Sequence, residues 1–407
     1  MLLDGRIFRF ARARCSLSDR HLGKTLSFVL AAAALTNSEA AGASSSQSPI
    51  VPGRSGEFVG AAGCKSSSCH GGAGEKRSQY ITWTQQDFHS RAFAVLVNAR
   101  SARMADTLRI GPAQNSARCT VCHSPFQAID ASRLTSTAHA DEGVSCESCH
   151  NAAASWFRGH TRSDWTYAMR VTAGMRDLRN LYVRANSCVA CHQNLDADVL
   201  AAGHPELRFE LDGQSIAEPK HWQDPPATGA KAWLVGQAVA LRETSWALSR
   251  TDGATGSAFP KWNALVWMLS QVTAQQTRLP VISPPGAIEA KASYIDMQGH
   301  ADALAHSASD AALGADFARQ AFQALTNTDA EFRQSKESRD ALFCRAERLV
   351  PGIYRTAVAS GADSDVSPRP EIRQLMEMIQ NRESFDARRF ADALAAYREA
   401  AGSSSGR

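Results

Sequence analysis

The sequence predicts a mostly α protein in two parts: an N-terminal part with little regular secondary structure, followed by an α-helical bundle. Three observations lead there. Eight of the ten cysteines fall between residues 64 and 191 in pairs, and every pair runs straight into a histidine. Across residues 57–225 apolar periodicity is weak and broken. Across residues 228–401 Ala and apolar residues recur at three- and four-residue intervals, punctuated by Asn, Asp, Ser and Gly, which is the pattern of packed helices.

The cysteine–histidine units are Cys64/Cys69/His70, Cys119/Cys122/His123, Cys146/Cys149/His150 and Cys188/Cys191/His192. The last three read C-T-V-C-H, C-E-S-C-H and C-V-A-C-H, the attachment pattern of c-type haem. The first, C-K-S-S-S-C-H, carries two extra residues between its cysteines. The chemistry explains the spacing. Two thiols form thioethers with the two vinyl groups of one haem, and the next residue presents an imidazole to the iron. A turn running into a helix achieves this, because residues three and four apart share a helix face, and histidine is a common proximal ligand of haem iron. A zinc site would use the cysteines in fours and would not require a histidine after every second one. For Cys64 and Cys69 a disulfide or a plain loop competes, although a longer spacer can loop out and keep both sulfurs in place. The expected cofactors are four haem c groups, which makes residues 57–225 a tetrahaem c-type cytochrome domain.

The chain has 407 residues, room for two or three domains. A net charge of +4 with 21% charged residues points to no nucleic-acid partner. Residues 1–43 read as a secretory signal: Arg6, Arg9, Arg12, Arg14, Arg20 and Lys24 form a basic region, residues 26–35 are apolar but too short to span a membrane, and small residues 40–43 offer a cleavage site. The competing readings are an amphipathic helix or an uncleaved anchor. Cleavage would remove Cys15, leave Cys344 as the one cysteine outside the motifs, and take the net charge from +4 to +1. Export to the periplasm fits haem attachment outside the bacterial inner membrane. Residues 44–56 are Ser-, Pro- and Gly-rich and read as a linker, and residues 402–407 as a disordered tail. No other segment reaches transmembrane length, so no membrane span is expected in the mature protein.

Each iron has a second axial position. Beyond the motifs, residues 57–225 offer His89, His139, His160, His204 and His221, nearly a full set for bis-His ligation; Met104, Met169 and Met175 are alternatives. Met/His ligation raises the reduction potential, so mostly bis-His sites imply low-potential haems. His300 and His306 lie far from any motif and read as surface residues. One helix is expected near residues 78–98 and one entering each motif.

The stretch G-V-S-C-E-S-C-H-N-A-A-A-S-W-F-R-G-H, residues 143–160, resembles the third haem site of the tetrahaem cytochromes that take electrons from hydroxylamine oxidoreductase in ammonia oxidisers. The stretches C-K-S-S-S-C-H-G (64–71), W-T-Q-Q-D-F-H-S-R-A-F (83–93), A-G-H-P-E-L-R-F-E-L (202–211) and P-K-H-W (219–222) are similar to that group as well. The resemblance covers roughly residues 57–225. In the family, haem ligands cross between neighbouring sites. The resemblance therefore implies His160 as distal ligand of the first haem and His89 of the third, with His139, His204 and His221 serving the second and fourth. One family haem lacks a distal protein ligand. This sequence departs from the family at Asn151, where Gly is common, and in the longer spacer of the first motif.

In the C-terminal part, helices are expected over residues 231–249, 262–278, 287–307, 310–325, 335–349, 370–382 and 386–400. Their aromatic residues read as core, and the bundle as structural support or a docking domain. A row of haems without open positions predicts an electron carrier between a redox donor and an acceptor. The alternative is a reductase of nitric oxide, nitrite or a similar small ligand, with the second haem five-coordinate and Arg118, His139 and Tyr167 near its open face.

Overall fold

A computed structural model describes residues 56–402, apart from residue 76 and residues 223–227, 251–257 and 287–290. The expected signal, nearly all of the linker and the tail beyond Gly402 lie outside the described residues. The described chain is mostly α; no strand occurs among the described residues, and one isolated bridge joins Phe58 to Leu134. No helix there is long and apolar enough to cross a membrane.

The cysteine-rich part is a run of short helices: α1 (Gly60–Cys64), α2 (Gln79–Gln86), α3 (Ala99–Leu108), α4 (Ala117–His123), α5 (Cys146–His150), α6 (Tyr167–Thr172), α7 (Leu181–His192), α8 (Ala197–Ala201) and α9 (Leu211–Ala217). The helix expected over residues 78–98 is broken at Asp87. That residue turns extended at φ −88°, ψ 125°, and its side chain accepts the His89 N–H, opening the 3-10 turn Phe88–Arg91; a second turn, Ala94–Val97, follows. An Asp side chain that satisfies a nearby backbone donor competes with the helical ladder. Apart from the residues that pack onto the bundle, the apolar clusters among the described residues of this part are two small ones, Phe58/Phe126/Ala152 and Leu96/Ala105/Ala113.

The C-terminal part comprises α10 (Thr228–Ser249), α11 (Ala258–Thr273), α12 (Lys291–Asp310), α13 (Ala315–Thr326), α14 (Asp329–Arg333), α15 (Arg339–Ser360), α16 (Pro370–Met378) and α17 (Ala387–Gly402). Helix α10 is buried on every side from Ala232 to Leu241, as a helix at the centre of a bundle must be. It packs against α7, α9, α11, α12 and α15. Trp233, Trp262, Tyr294, Phe332, Phe390 and Tyr397 fill the core, each at most 2% exposed. Helix α15 runs well past the expected end at residue 349, through Pro351, because Val350, Ile353, Tyr354 and Ala357 continue its buried face. Packing here outweighs the cost of an interior proline. Gly361 then closes the helix at φ 80°, its N–H bonded to Ala357 O and Val358 O.

The core does not stop where the cysteine-rich part was expected to end. Leu181, Ala185 and Val189 of α7, and Phe209 and Leu211 around the start of α9, belong to the same buried cluster as the bundle helices. Polar contacts tighten the join. Tyr182 Oη donates to Asp302 at 2.8 Å, and Arg242 bonds Asp302 at 2.7 Å and Asn186 at 2.6 Å. The buried Arg355 Nε donates to the buried Asp212 at 2.8 Å. The bundle is thus a buttress for α7, the helix that ends in the fourth motif.

Candidate haem centres

Helices α4, α5 and α7 each end on a motif histidine, His123, His150 and His192. The first cysteine of each, four residues back, therefore shares the helix face of the imidazole, and the second cysteine, three residues on from the first, stays beside it. In the first motif α1 ends at Cys64 and the extra residues fold into a turn, with Cys69 N–H and Gly71 N–H both donating to Ser66 O at 2.9 and 3.0 Å and His70 N–H returning to Cys64 O at 3.3 Å. The longer spacer is accommodated locally.

Each motif histidine faces a second histidine. The ring centroids are 6.0 Å apart for His70–His160, 6.3 Å for His123–His204, 6.4 Å for His150–His221 and 6.0 Å for His192–His89. Two imidazoles bonded at about 2 Å to opposite faces of one metal place their centroids roughly 6 to 6.5 Å apart. All four pairs meet that separation, so the residues present fit four six-coordinate irons.

The ring orientations are held from behind, as ligating histidines require. Nδ1 of His70 bonds Gln79 Oε1 at 3.0 Å, that of His123 bonds Ala92 O at 3.0 Å, and that of His204 bonds Pro205 O at 2.8 Å. His160 Nδ1 bonds Phe157 O, and His221 bonds the Pro219 backbone. His89 Nδ1 meets Asp87 Oδ1 at 3.0 Å. Burial pushes His150 and His192 down to about 4, keeping both neutral at pH 7, the form that binds metal. His89 is pushed up instead, by its bond to Asp87. Burial pushes the Cys149 thiol up to about 12, so it is protonated.

Neighbour relations order the pairs. The Cys64 thiol lies close enough to that of Cys146 to perturb it, setting the first motif beside the third, and Cys122 stands likewise to Cys191, setting the second beside the fourth. His150 lies in the field of His70 and His160, and His192 in that of His123. Asp87, the partner of His89, also reaches the field of His221, and Cys149 that of Cys188. The row runs first, third, fourth, second.

Several expectations need correcting. His160 faces the first motif, as the resemblance implied, but His89 faces the fourth motif and His221 the third. His204 takes the second. His139 is brought to no motif ring among the described residues; it is exposed, and its backbone N–H donates to Glu142 at 3.0 Å. Arg118 pairs with Asp196 at 2.9 Å and Asp198 at 2.7 Å, and Tyr167 donates to Asp177 at 2.8 Å. Two of the polar residues expected near an open face at the second haem, Arg118 and Tyr167, thus already have side-chain partners. His300 and His306 are exposed.

Sequence reasoning missed the residues that brace the ligands. Glu147, inside the third motif and 1% exposed, accepts N–H bonds from Val59 at 3.1 Å, Gly60 at 2.7 Å and Ala153 at 2.6 Å, tying the first motif's helix to the third motif. Gly143 sits at φ +76°, where an added Cβ would lie 2.7 Å from His89 O. The departure at Asn151 also finds its reason: the residue takes φ 71°, which Gly adopts freely, and its Nδ2 donates to Gly174 O at 3.0 Å. An Asp two residues before a histidine was the one signal in the sequence for Asp87.

Comparison with known proteins adds one match. Residues 64–151 match the family model described as cytochrome c554 and c-prime. The match spans the first three motifs and stops before the fourth. No curated protein and no solved structure matches the chain.

Proposed function

We propose that the protein is an exported, periplasmic tetrahaem c-type cytochrome that carries electrons between two redox partners. The observation that carries this reading is the set of four facing imidazole pairs, each at the separation two ligands on one iron require. Haem, when bound, supplies the one-electron couple. The chain's residues would do the rest: the paired cysteines would hold each haem, the facing imidazoles would bind its iron, and the row of pairs would set the order of transfer. Irons held between two imidazoles would have no place for a substrate, which favours a carrier over a small-ligand reductase. The C-terminal helices brace α7 and offer the surface for partner docking. Mass spectrometry of the exported protein tests the reading: four haems per chain, with reversible reduction, are expected. Fewer haems, or a chain that folds without them, would refute it.

A further inference from the structure

The four ring pairs are not electrostatically alike. Of the ring nitrogens with a described partner, those of His70, His123, His160, His204 and His221 all bond neutral amide oxygens. Among the described contacts of the eight paired histidines, it is His89 whose ring nitrogen meets a carboxylate. Asp87 is 6% exposed, accepts the His89 backbone N–H at 2.9 Å and meets its Nδ1 at 3.0 Å, so its side chain is fixed from two directions. A second carboxylate, Glu218, lies close by; its oxygen, the Asp87 oxygen and the His89 nitrogen all fall within 4.8 Å of one another. By contrast, cationic Arg176 stands in the field of His150 and Arg170 in that of His160.

A ring that binds iron through Nε2 keeps its proton on Nδ1 and donates it. A charged acceptor makes that bond roughly twice as strong as a neutral one and raises the basicity of the ligand. A more basic ligand stabilises ferric over ferrous iron. We infer that Asp87 is a positioning and tuning residue that makes the His89/His192 centre the most reducing of the four. This inference rests on the tetrahaem reading above. It places the hardest centre to reduce, that of the fourth motif, between the centres of the third and second motifs. A partly reduced protein would then hold electrons on either side of it and cross it only as a step.

The test is a potentiometric titration of the loaded protein, followed by electron paramagnetic resonance (EPR), comparing wild type with Asp87→Asn and Asp87→Glu. Asp87→Asn keeps an acceptor but removes the charge. The lowest potential should rise by the equivalent of a tenfold change in the ferrous-to-ferric ratio, about 59 mV for a one-electron couple, while the other three hold. Asp87→Glu should restore most of the wild-type value, which a merely structural role would not do. Should both variants fail to load haem, His89→Met in place of Asp87 changes decides the matter: it should remove the lowest-potential component from the titration. Four low-spin centres with no change in the lowest potential, or loss of a different component in His89→Met, would overturn the inference and leave the tetrahaem reading intact. Absence of four low-spin centres in wild type would instead overturn the reading beneath it.

Discussion

The imidazoles of His70 and His160 lie 6.0 Å apart, centroid to centroid, and within 11° of parallel, though 90 positions separate them in the chain. His160 comes from a 3-10 turn, Gly159–Thr161, that follows the third motif. In the proposed tetrahaem reading the first iron would therefore be closed by a residue that belongs, in sequence, to the third motif. His160→Ala is expected to open one face of the first centre alone. EPR should show one low-spin ferric signal replaced by a high-spin one, and the reduced variant should bind carbon monoxide. An unchanged spectrum would mean that His160 is not the ligand.

Glu147 joins the same two motifs through the backbone. Removing it leaves two buried N–H groups, of Gly60 and Ala153, and the half-buried one of Val59 without an acceptor, each buried one worth about 1–3 kcal/mol. Glu147→Ala should therefore destabilise the loaded protein by roughly 3 kcal/mol or more in denaturant titration. Its pH signature is separable. Burial pushes this carboxyl above its ordinary 4.5, against the pull of its backbone donors. A carboxyl raised on folding contributes most below its unfolded value, and the contribution is lost as pH climbs through the folded one. Stability should thus fall on going up from pH 4.5, and Glu147→Gln should flatten that slope.

Gly143 should tolerate no side chain. Its φ of +76° already disfavours one, and an added Cβ would meet His89 O at 2.7 Å. The same His89 O accepts the Val144 N–H at 3.0 Å, so displacement of this strand of chain moves the ligand. Gly143→Ala is expected to lower stability by about 1–3 kcal/mol and to broaden the EPR signal of the fourth centre more than the others. At Asn151, where φ is also positive, Gly should be accepted and Val should cost a similar 1–3 kcal/mol.

The bundle's role as a buttress has its own test. Arg355 and Asp212 are both buried and joined at 2.8 Å. Removing only the arginine leaves a buried carboxylate uncompensated, a loss of about 3–5 kcal/mol. Arg355→Ala should lower the melting temperature of the whole chain in one transition, because the core is shared with α7. Two separate transitions in calorimetry would show that the two parts fold independently.

Much of this was legible from the sequence, for reasons that differ by region. The motif cysteines and histidines were readable because thioether and axial chemistry dictate short-range spacing. The bundle was readable because helix period survives in Ala-rich segments, although α15 overran its expected end, since burial of Ile353 and Tyr354 outweighs Pro351. Four of the five histidines offered as second ligands, His89, His160, His204 and His221, do face motif histidines, but which faces which was not readable. Pairing depends on how α1, α5 and α7 stack, which no local pattern encodes; hence His89 went to the third motif and His139 was included. The bracing residues escaped because a buried Glu147 or Asp87 looks, in sequence, like any solvated carboxylate.

The central claim is that every iron is held between two imidazoles. Spin-quantified EPR of the fully oxidised, haem-loaded protein addresses it most directly. The account predicts four low-spin ferric centres per chain and no high-spin signal. A high-spin ferric component in the unaltered protein, responding to added nitric oxide, would contradict it and return the second motif to the role of a ligand-binding site.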